Sequence, residues 1–585
     1  MSSKQARKFR KAEFISDEGG NTIMMFGLSF IPVMFMLGAA TDYTRLTITR
    51  AALQQGTDAA SLAVASKMTN DTTLDDAKKQ AQVILRSQPK LASATVTDVT
   101  ITPDKRTLCT TSQMTIKNAF MQIAQIANLT PSVTTCASLA GGVDPQAQYE
   151  ISLVLDNSGS MSSSAGGVSK MQALRTAATS FVDTMFSKAV DPGKMKISVT
   201  PFNATVRAVD PSIQANRTRA WVDTAGNSSI HWRALGGKAA ATAAGFTNRF
   251  DIFDKLRARR SSWDWNGCFE SQPYPMNVDD TPPTSSDPNT LLVPYLSPDE
   301  PDGYYSTSTG AYVGTNSTWN SFDYNNSYLT NDNPGSGCSG ANSQWDRLTK
   351  VCKYNISTSA PIDTDTMGPD GYCSGNASQT VLRLSASKPT INTMIGALVE
   401  GGNTNVHEGI LWGLRTISPN APFSDGTAYN SDKVRKIMIV MTDGANVWTS
   451  RRRTVGGSDF QAPGYYSFNG AANVALPNGI KGDGVNYQTL LAAAAPNNST
   501  NFQSTARDAV DDLALQTCTS AKAKGVEIFT IGFSTPDDQI DAKGLELLQN
   551  CATNVDHYYK AENASQLNLI FSQIGIGLGS LRLSQ

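Results

Sequence analysis

The sequence predicts an α/β protein: a doubly wound, mainly parallel sheet with long inserts, preceded by a transmembrane helix and a small α+β segment. Three observations lead to this fold class. Short apolar, β-branched runs alternate with helical periodicity after residue 146, an uncharged apolar run lies near the N-terminus, and the hydrophobic pattern changes from helical to alternating near Ala94. Strands that alternate with helices form parallel sheets with crossover connections.

The composition is that of a globular protein. The chain has 585 residues, of which 40% are apolar, and 49 basic and 50 acidic side chains leave a formal net charge of −1. Because no excess of positive charge would attract a polyanion, a general nucleic-acid-binding role is disfavoured. We therefore expect no nucleic acid among the partners.

The N-terminus has the features of a membrane anchor. Five basic residues lie within 1–20, and the uncharged segment IMMFGLSFIPVMFMLGAA lies within 21–41. A helix of about 20 apolar residues can cross a hydrocarbon core roughly 30 Å thick, and basic residues before such a helix place the N-terminus in the cytoplasm. We predict a cytoplasmic leader at 1–20, one transmembrane helix at 21–41 and the remaining chain outside the cytoplasm. A signal peptide cleaved after Ala40 is the alternative.

Residues 42–145 are predicted to form a helical stalk and a small α+β region. A second helix is expected to start at a cap formed by Thr72 or Thr73 and to end before Pro89. From Ala94 the pattern indicates short strands around one further helix. The strands are expected at 96–101, 109–116 and 133–139, and the helix at 119–128.

The eight cysteines are widely spaced and include no CxxC pair. This spacing argues against a zinc ribbon or a thioredoxin-type site, and an even number outside the cytoplasm is typical of structural disulfides. We predict the pair Cys109–Cys136 between two strands, and the pair Cys518–Cys551 between two consecutive helices. The four cysteines of the long insert are expected to pair among themselves: Cys268, Cys338, Cys352 and Cys373.

The segment EISLVLDNSGSM at 150–161 combines a buried strand with a polar loop. The run ISLVL is typical of a parallel strand buried on both faces, and ligands of open α/β sheets bind at the carboxyl ends of such strands. Asp156, Ser158 and Ser160 follow the strand, and their carboxylate and hydroxyl oxygens are the hard ligands that Mg²⁺ prefers. A simple helix cap is the alternative explanation for this loop taken alone.

This D-x-S-x-S loop resembles the metal-ion-dependent adhesion site of von Willebrand factor type A domains. Two further segments are similar to the other loops of that site: GGNTNVHEG at 401–409, which offers Thr404, and KIMIVMTDGA at 436–445, which offers Asp443. The resemblance implies that these two residues join the three of the first loop in binding Mg²⁺, or alternatively Mn²⁺ or Ca²⁺. It also implies a protein partner that presents an Asp or Glu to the ion.

The same resemblance sets the expected domain organisation. It implies a Rossmann-like von Willebrand factor A domain over 146–585, interrupted by inserts at about 205–385 and 447–500. The cysteines and aromatic residues of the longer insert favour a folded subdomain over a flexible linker. Its length suggests a functional role, since long loops without secondary structure are uncommon in compact domains.

The N-terminal segment is similar to a narrower family. DEGGNTIMMFGLSFIPVMFMLGAATDYTR followed by LQQGTDAASLA resembles the TadE/TadG-type leader of Flp (Tad) pilus-assembly proteins. Such an anchor joined to a von Willebrand factor A domain is similar to the TadG-like members of that group. The resemblance implies a bacterial cell-envelope protein that crosses the inner membrane once, exposes its bulk to the periplasm or the surface, and interacts with the pilus machinery.

Binding is a better interpretation than catalysis. No GxSxG, HExxH, Walker A or GxGxxG motif is present, and the three histidines, His231, His407 and His557, are scattered. We expect a non-enzymatic protein that uses the metal site for protein–protein interaction in pilus assembly or surface adhesion. A metal-dependent envelope hydrolase using the same site is the alternative, and a hydrolytic activity that depends on Asp156 would favour it.

A reporter fused after Gln585 tests the predicted topology. Because the basic residues precede the apolar run, the reporter should be active only if it functions outside the cytoplasm. Activity of a strictly cytoplasmic reporter at the same position would contradict the prediction.

Overall fold

The chain divides into two compact units, Met1–Gly142 with Ile576–Gln585 and Val143–Gly575. The structure is a computed structural model. It describes residues 18–65, 73–88, 90–101, 107–139, 148–188, 192–302, 304–305, 312–313, 326–330, 338, 344–373, 379–431, 433–449, 451, 454–465, 499–579 and 581–584. Most of the predicted leader at 1–20 lies outside these residues, as does the part of the second insert from 466 to 498.

The first unit combines two helices with an antiparallel sheet. The helices are α1 (Glu18–Ala65) and α2 (Leu74–Ser87). The strands are β1 (Thr95–Ile101), β2 (Thr107–Gln113), β3 (Ile116–Lys117), β4 (Asn128–Leu129), β5 (Ser132–Leu139) and, at the other end of the chain, β14 (Leu581–Ser584). The main sheet has the order β1-β2-β5-β14, and β3 pairs with β4.

Both helices of this unit follow from local sequence signals. Helix α1 runs without a break through the predicted transmembrane segment and the predicted stalk. Within the described ranges, no helix combines the length and the apolar character needed to cross a membrane. Helix α2 starts where predicted, because the Thr73 side chain accepts a hydrogen bond from the backbone N–H of Asp76 and so caps the first turn.

The predicted helix at 119–128 is wrong. Only a single 3₁₀ turn forms there, at Met121–Ala124, and the chain then enters β4. The Asp42 carboxylate of α1 accepts hydrogen bonds from the backbone N–H groups of Ala119, Phe120 and Met121 at 3.0, 2.9 and 2.9 Å. Gln125 then turns the chain back with a φ of 66°, so a contact with a distant residue and a tight turn override the local helical pattern.

The end of the chain also differs from the expected domain boundaries. Residues 146–585 were expected to form one domain, whereas Ile576–Gln585 belongs to the first unit. The reason is β14, which pairs with β5 from Leu581↔Leu139 to Ser584↔Cys136. The N-terminal segment and the C-terminal segment therefore share one sheet.

The second unit is built on a six-stranded, mainly parallel sheet with the order β10-β7-β6-β11-β12-β13. Its strands are β6 (Gln148–Asp156), β7 (Met195–Phe202), β10 (Leu382–Ser385), β11 (Val434–Thr442), β12 (Glu527–Phe533) and β13 (Tyr558–Ala561). Strand β10 is antiparallel to β7, and the other neighbours are parallel. The predicted α/β class with a mainly parallel sheet is confirmed.

Helices connect these strands, and small elements lie in the long insert. The helices are α3 (Lys170–Lys188), α4 (Lys238–Ala243), α5 (Arg249–Arg259), α6 (Gln344–Thr349), α7 (Lys388–Gly396), α8 (Val406–Thr416), α9 (Ser499–Ala523), α10 (Ala542–Cys551) and α11 (Ala564–Gly579). A short hairpin in the insert pairs β8 (Tyr304–Tyr305) with β9 (Tyr312–Val313).

Strand β6 lies inside the sheet and defines its switch point. The chain leaves β6 for β7 on one side and later returns to β11 on the other. Such a reversal of strand order opens a crevice at the carboxyl ends of the two central strands, where ligands bind in open α/β sheets. The interior residues of β6 are buried on both faces, which explains why ISLVL is continuously apolar.

The described part of the long insert is folded and packs on α8. Trp265 and Phe269 contact each other edge to face with ring centroids 5.2 Å apart, and Phe269 stacks on Trp412 of α8 at 6.0 Å. Buried polar contacts accompany these rings, since the Ser271 hydroxyl donates to the Glu408 carboxylate of the same helix. The insert therefore belongs to the core of the second unit.

All eight cysteines form disulfides. Cys109 and Cys136 are direct partners in the register of β2 and β5, with Cα atoms 3.9 Å apart. Cys518 of α9 bonds to Cys551 of α10 with Cα atoms 5.3 Å apart. These are the two pairs that the sequence predicts, and the insert cysteines pair with each other as Cys268–Cys373 and Cys338–Cys352.

The Cys518–Cys551 disulfide should stabilise the second unit. It closes a segment with a sequence separation of 33, and the chain-entropy model gives about 3 to 4 kcal/mol for a loop of that size. Denaturant unfolding of Cys518→Ser should show a loss of this order. Cys551→Ser and the double variant should lose about the same amount as the single variant, and a double variant markedly less stable than either would indicate a different cause.

Candidate functional site

The loop after β6 is organised by Asp156, the last residue of that strand. One carboxylate oxygen, Oδ1, accepts the backbone N–H of Ser158 at 2.8 Å. The other, Oδ2, accepts the hydroxyl of Thr442, the last residue of β11, at 2.5 Å. Asp156 is fully buried. It therefore both shapes its own loop and links the two central strands at the switch point.

The two serines of this loop connect it to Asp443. The hydroxyl oxygens of Ser158 and Ser160 lie 3.1 Å apart, and the Ser160 hydroxyl donates to Asp443 Oδ1 at 2.7 Å. Asp443 directly follows β11 and is 2% exposed. Direct contacts therefore join four of the five residues expected from the sequence in one series: Asp156, Ser158, Ser160 and Asp443.

The third loop, residues 401–405, brings Thr404 to the same place. Backbone hydrogen bonds tie this loop to the first one, from Gly159 N to Gly402 O at 2.9 Å and from Gly401 N to Asn157 O at 2.9 Å. A methyl group added at Gly444 would lie 3.5 Å from the Thr404 hydroxyl and 3.8 Å from the Ser160 hydroxyl. Both hydroxyls therefore face the same point beside Gly444.

The carboxylates are in an unusual electrostatic position. Burial raises the pKa of Asp156 to about 7, and the neighbouring charge of Asp443 adds to the shift. Burial also raises the pKa of Asp443, while the ammonium group of Lys170 and the Ser160 hydroxyl act in the opposite direction. Two buried carboxylates at one edge of a sheet are unfavourable unless positive charge compensates for them.

Lys170 is a residue of this cluster that the sequence reasoning missed. Its ammonium group is fully buried and lies 3.0 Å from Asp443 Oδ2 and 2.8 Å from Asp538 Oδ2. One signal was present in the sequence: Lys170 is the first residue of α3, where a positive charge opposes the helix dipole.

The donor set fits a hard divalent cation. It consists of two carboxylates and three hydroxyls, all oxygen ligands, as Mg²⁺ and Ca²⁺ require. Among the described residues, no group of three or more His, Cys, Asp or Glu could hold a metal, so a site here would depend on the hydroxyls. A cation would also relieve the repulsion between the two buried carboxylates.

The histidines are structural. His407 Nε2 lies 2.7 Å from the carbonyl oxygen of Asn277 in the insert. His231 Nδ1 lies 2.8 Å from Asp223 Oδ2, also within the insert. His557 contacts Glu527 at the start of β12. Each of these contacts is made outside the five residues of the candidate site.

One protein family matches the N-terminal region. The family described as putative Flp pilus-assembly TadE/G-like matches residues 20–67, which is the region of α1. No curated protein sequence matches the chain.

Solved structures similar to the chain include three pilus proteins. The pilus adhesin SpaC from Lactobacillus rhamnosus GG has 13% identity and a TM-score of 0.28, over 83% of this chain and 34% of SpaC. The vWF domain of the type V pili tip protein Mfa5 from Porphyromonas gingivalis has 11% identity and a TM-score of 0.29, over 74% and 96%. The pilus adhesin RrgA from Streptococcus pneumoniae has 9% identity and a TM-score of 0.33, over 84% and 49%.

These structural similarities are low. The chain spans about a third of the length of SpaC, and TM-scores of 0.28 to 0.33 do not establish a shared fold.

Gly402, whose carbonyl accepts the Gly159 N–H of the first loop, has a backbone conformation that favours glycine. It has a φ of 79°, and a methyl group there would lie 3.2 Å from Asn203 Nδ2. Gly402→Ala should lower the free energy of unfolding by about 1–2 kcal/mol, the cost of a left-handed non-glycine residue. The matched control is Gly401→Ala, where an added methyl group meets nothing within 4 Å. Equal denaturant midpoints for the two variants would contradict this account.

Proposed function

We propose that this chain is a cell-envelope binding protein of pilus assembly or surface adhesion, with a divalent-cation site of the von Willebrand factor A type. The observation that carries the proposal is the convergence of three loops on one edge of the sheet. Ser160 and Asp443 are in direct contact although 283 residues separate them, and the hydroxyls of Ser160 and Thr404 lie near the same point beside Gly444. A helix cap would require only the first loop.

The residues proposed to hold Mg²⁺ are Asp156, Ser158, Ser160, Thr404 and Asp443. A bound Mg²⁺ would supply an electrophilic position for a carboxylate from a partner protein. The protein contributes three neutral hydroxyls and two carboxylates. Because only two of these five ligands are negatively charged, a bound ion would keep much of its positive charge. An Asp or Glu of the partner could then complete the ligand set through a charge-assisted contact shielded from water.

The surroundings of the site suit a protein partner. Val399 and Val447 are 44% and 38% exposed, and the backbone of each is bonded to a site loop. The Val399 carbonyl accepts a hydrogen bond from Asn157 Nδ2 at 3.0 Å, and the Val447 N–H donates to the Thr404 carbonyl at 2.8 Å. Exposed apolar side chains beside a polar centre resemble the mixed composition of protein interfaces.

The pilus context rests on the N-terminal region. The match to a pilus-assembly family at 20–67 supports it. The single-pass anchor at 21–41, with the N-terminus in the cytoplasm and the bulk of the chain in the periplasm or at the surface, is part of the same proposal. The partner would then belong to the pilus machinery or to a surface that the bacterium contacts.

Asp156→Ala tests the metal site. Isothermal titration of the chelator-treated full-length protein with MgCl₂ should show binding to the wild type and none to the variant, because the variant loses a buried anionic ligand. Ser158→Ala should bind more weakly than the wild type but more tightly than Asp156→Ala, since it removes a neutral ligand. Capture of envelope proteins should follow the same order and should be lost with a chelator.

The matched control is Asp537→Ala, which removes an exposed carboxylate from a neighbouring loop. It should leave Mg²⁺ binding unchanged, and circular dichroism should show that each variant keeps its fold. Unchanged Mg²⁺ affinity in Asp156→Ala would reduce the first loop to a helix cap. Partner capture that is indifferent to chelator would reject the proposed adhesion mechanism.

A further inference from the structure

The most unusual side chain of the second unit is Lys170. Its exposed fraction is 0%, although burying an ammonium group is costly. Nζ meets three acceptors, at 3.0 Å from Asp443 Oδ2, 2.8 Å from Asp538 Oδ2 and 3.2 Å from the Asp538 carbonyl oxygen. An ammonium group has three donors, so these contacts satisfy it completely.

Lys170 divides the two oxygens of Asp443 between two roles. Oδ2 accepts from Lys170, and Oδ1 accepts from the Ser160 hydroxyl within the proposed ligand set. Oδ1 is therefore the Asp443 oxygen that lies among the proposed ligands, whereas Oδ2 is turned toward the ammonium group. Lys170 also places one positive charge directly against a carboxylate of the proposed ligand set.

Asp538 balances this charge from outside the ligand set. It lies in the loop after β12, and its side chain is 36% exposed, whereas Lys170 and Asp443 are fully buried. Lys170 is therefore shared between a buried carboxylate of the site and a partly solvated carboxylate of a neighbouring loop. The strength of its interaction with Asp443 depends on Asp538.

We propose that Lys170 is the internal counter-charge of the metal site and sets its affinity for divalent cations. Its ammonium group compensates for Asp443 when no ion is bound, which keeps the loops assembled. The same positive charge repels an incoming cation, so the site binds Mg²⁺ more weakly than its five oxygen ligands would otherwise allow. Lys170 is thus a positioning residue, and this inference rests on the proposed function.

Calorimetry with MgCl₂ on the chelator-treated full-length protein tests the inference. Lys170→Met removes the charge and keeps the length of the side chain, and it should tighten Mg²⁺ binding by about tenfold because the repulsion disappears. Without Mg²⁺ the variant should unfold at a lower temperature than the wild type, since Asp443 is left uncompensated. Saturating Mg²⁺ should narrow that difference.

Two further variants make the test specific. Lys543→Met removes a positive charge from α10 that pairs with Asp508 on the surface, and it should leave Mg²⁺ affinity within about twofold of the wild type. Asp538→Asn leaves Lys170 with Asp443 as its remaining carboxylate, and it should weaken Mg²⁺ binding by about threefold or more. If Lys170→Met fails to fold, Asp538→Asn still tests the proposal.

The calorimetric results distinguish failure of the proposed metal site from failure of the role proposed for Lys170. A wild type that gives no heat with MgCl₂ would reject the proposed metal site and this inference with it. A wild type that binds Mg²⁺, together with Lys170→Met of equal or weaker affinity, would overturn this inference alone. Unchanged or tighter binding in Asp538→Asn would do the same.

Discussion

Two carboxylates buried at the ends of neighbouring parallel strands impose the main constraint on this structure. Strands β6 and β11 pair in continuous register from Gln148↔Val434 to Leu155↔Met441. Both strands therefore end at the same edge of the sheet, and the carboxylates that follow are brought together away from water. Like charges in such a position repel and disfavour ionisation, so neighbouring elements have to supply donors or positive charge.

The donors come from elements that are remote in the sequence. Thr442 and the backbone N–H of Ser158 serve Asp156, whereas Ser160 and Lys170 serve Asp443. Because each donor belongs to a different element from the acceptor or to a tight turn, satisfying the carboxylates also fixes the loops relative to each other. The same hydrogen bonds therefore satisfy the buried carboxylates and hold the loops in position.

The contrast between local signals and contacts of remote residues explains what the sequence could predict. The apolar runs of β6, β7, β11 and β12 are local signals, because a strand buried on both faces must be apolar along its length. The prediction of a helix at 119–128 was wrong because the conformation of this segment depends on Asp42. That residue is 77 positions from Ala119, whose backbone N–H it accepts. The pairing of β14 with β5 is equally non-local, and local patterns carry no information about it.

The site shows the same contrast. Its three loops could be recognised from short motifs, since each motif follows a strand or precedes a helix in the sequence. The role of Lys170 could not, because one of its partners, Asp538, is 368 residues away. Lys170 is the first residue of α3, where a positive charge is unfavourable. The local sequence therefore does not explain why a lysine occupies this position.

Helix α8 extends the constraint from the site into the long insert. The helix begins at Val406, two residues after Thr404. The backbone N–H of Val406 donates to the Asn446 side chain, in the loop after β11, at 2.6 Å. The same first turn bears Glu408, which accepts a hydrogen bond from the Ser271 hydroxyl of the insert and, at 3.1 Å, one from the indole N–H of Trp412. The third loop is thus fixed on one side by the β11 loop and, through α8, on the other side by the insert. The insert therefore supports one of the three loops that form the site, because it contacts the helix that this loop begins.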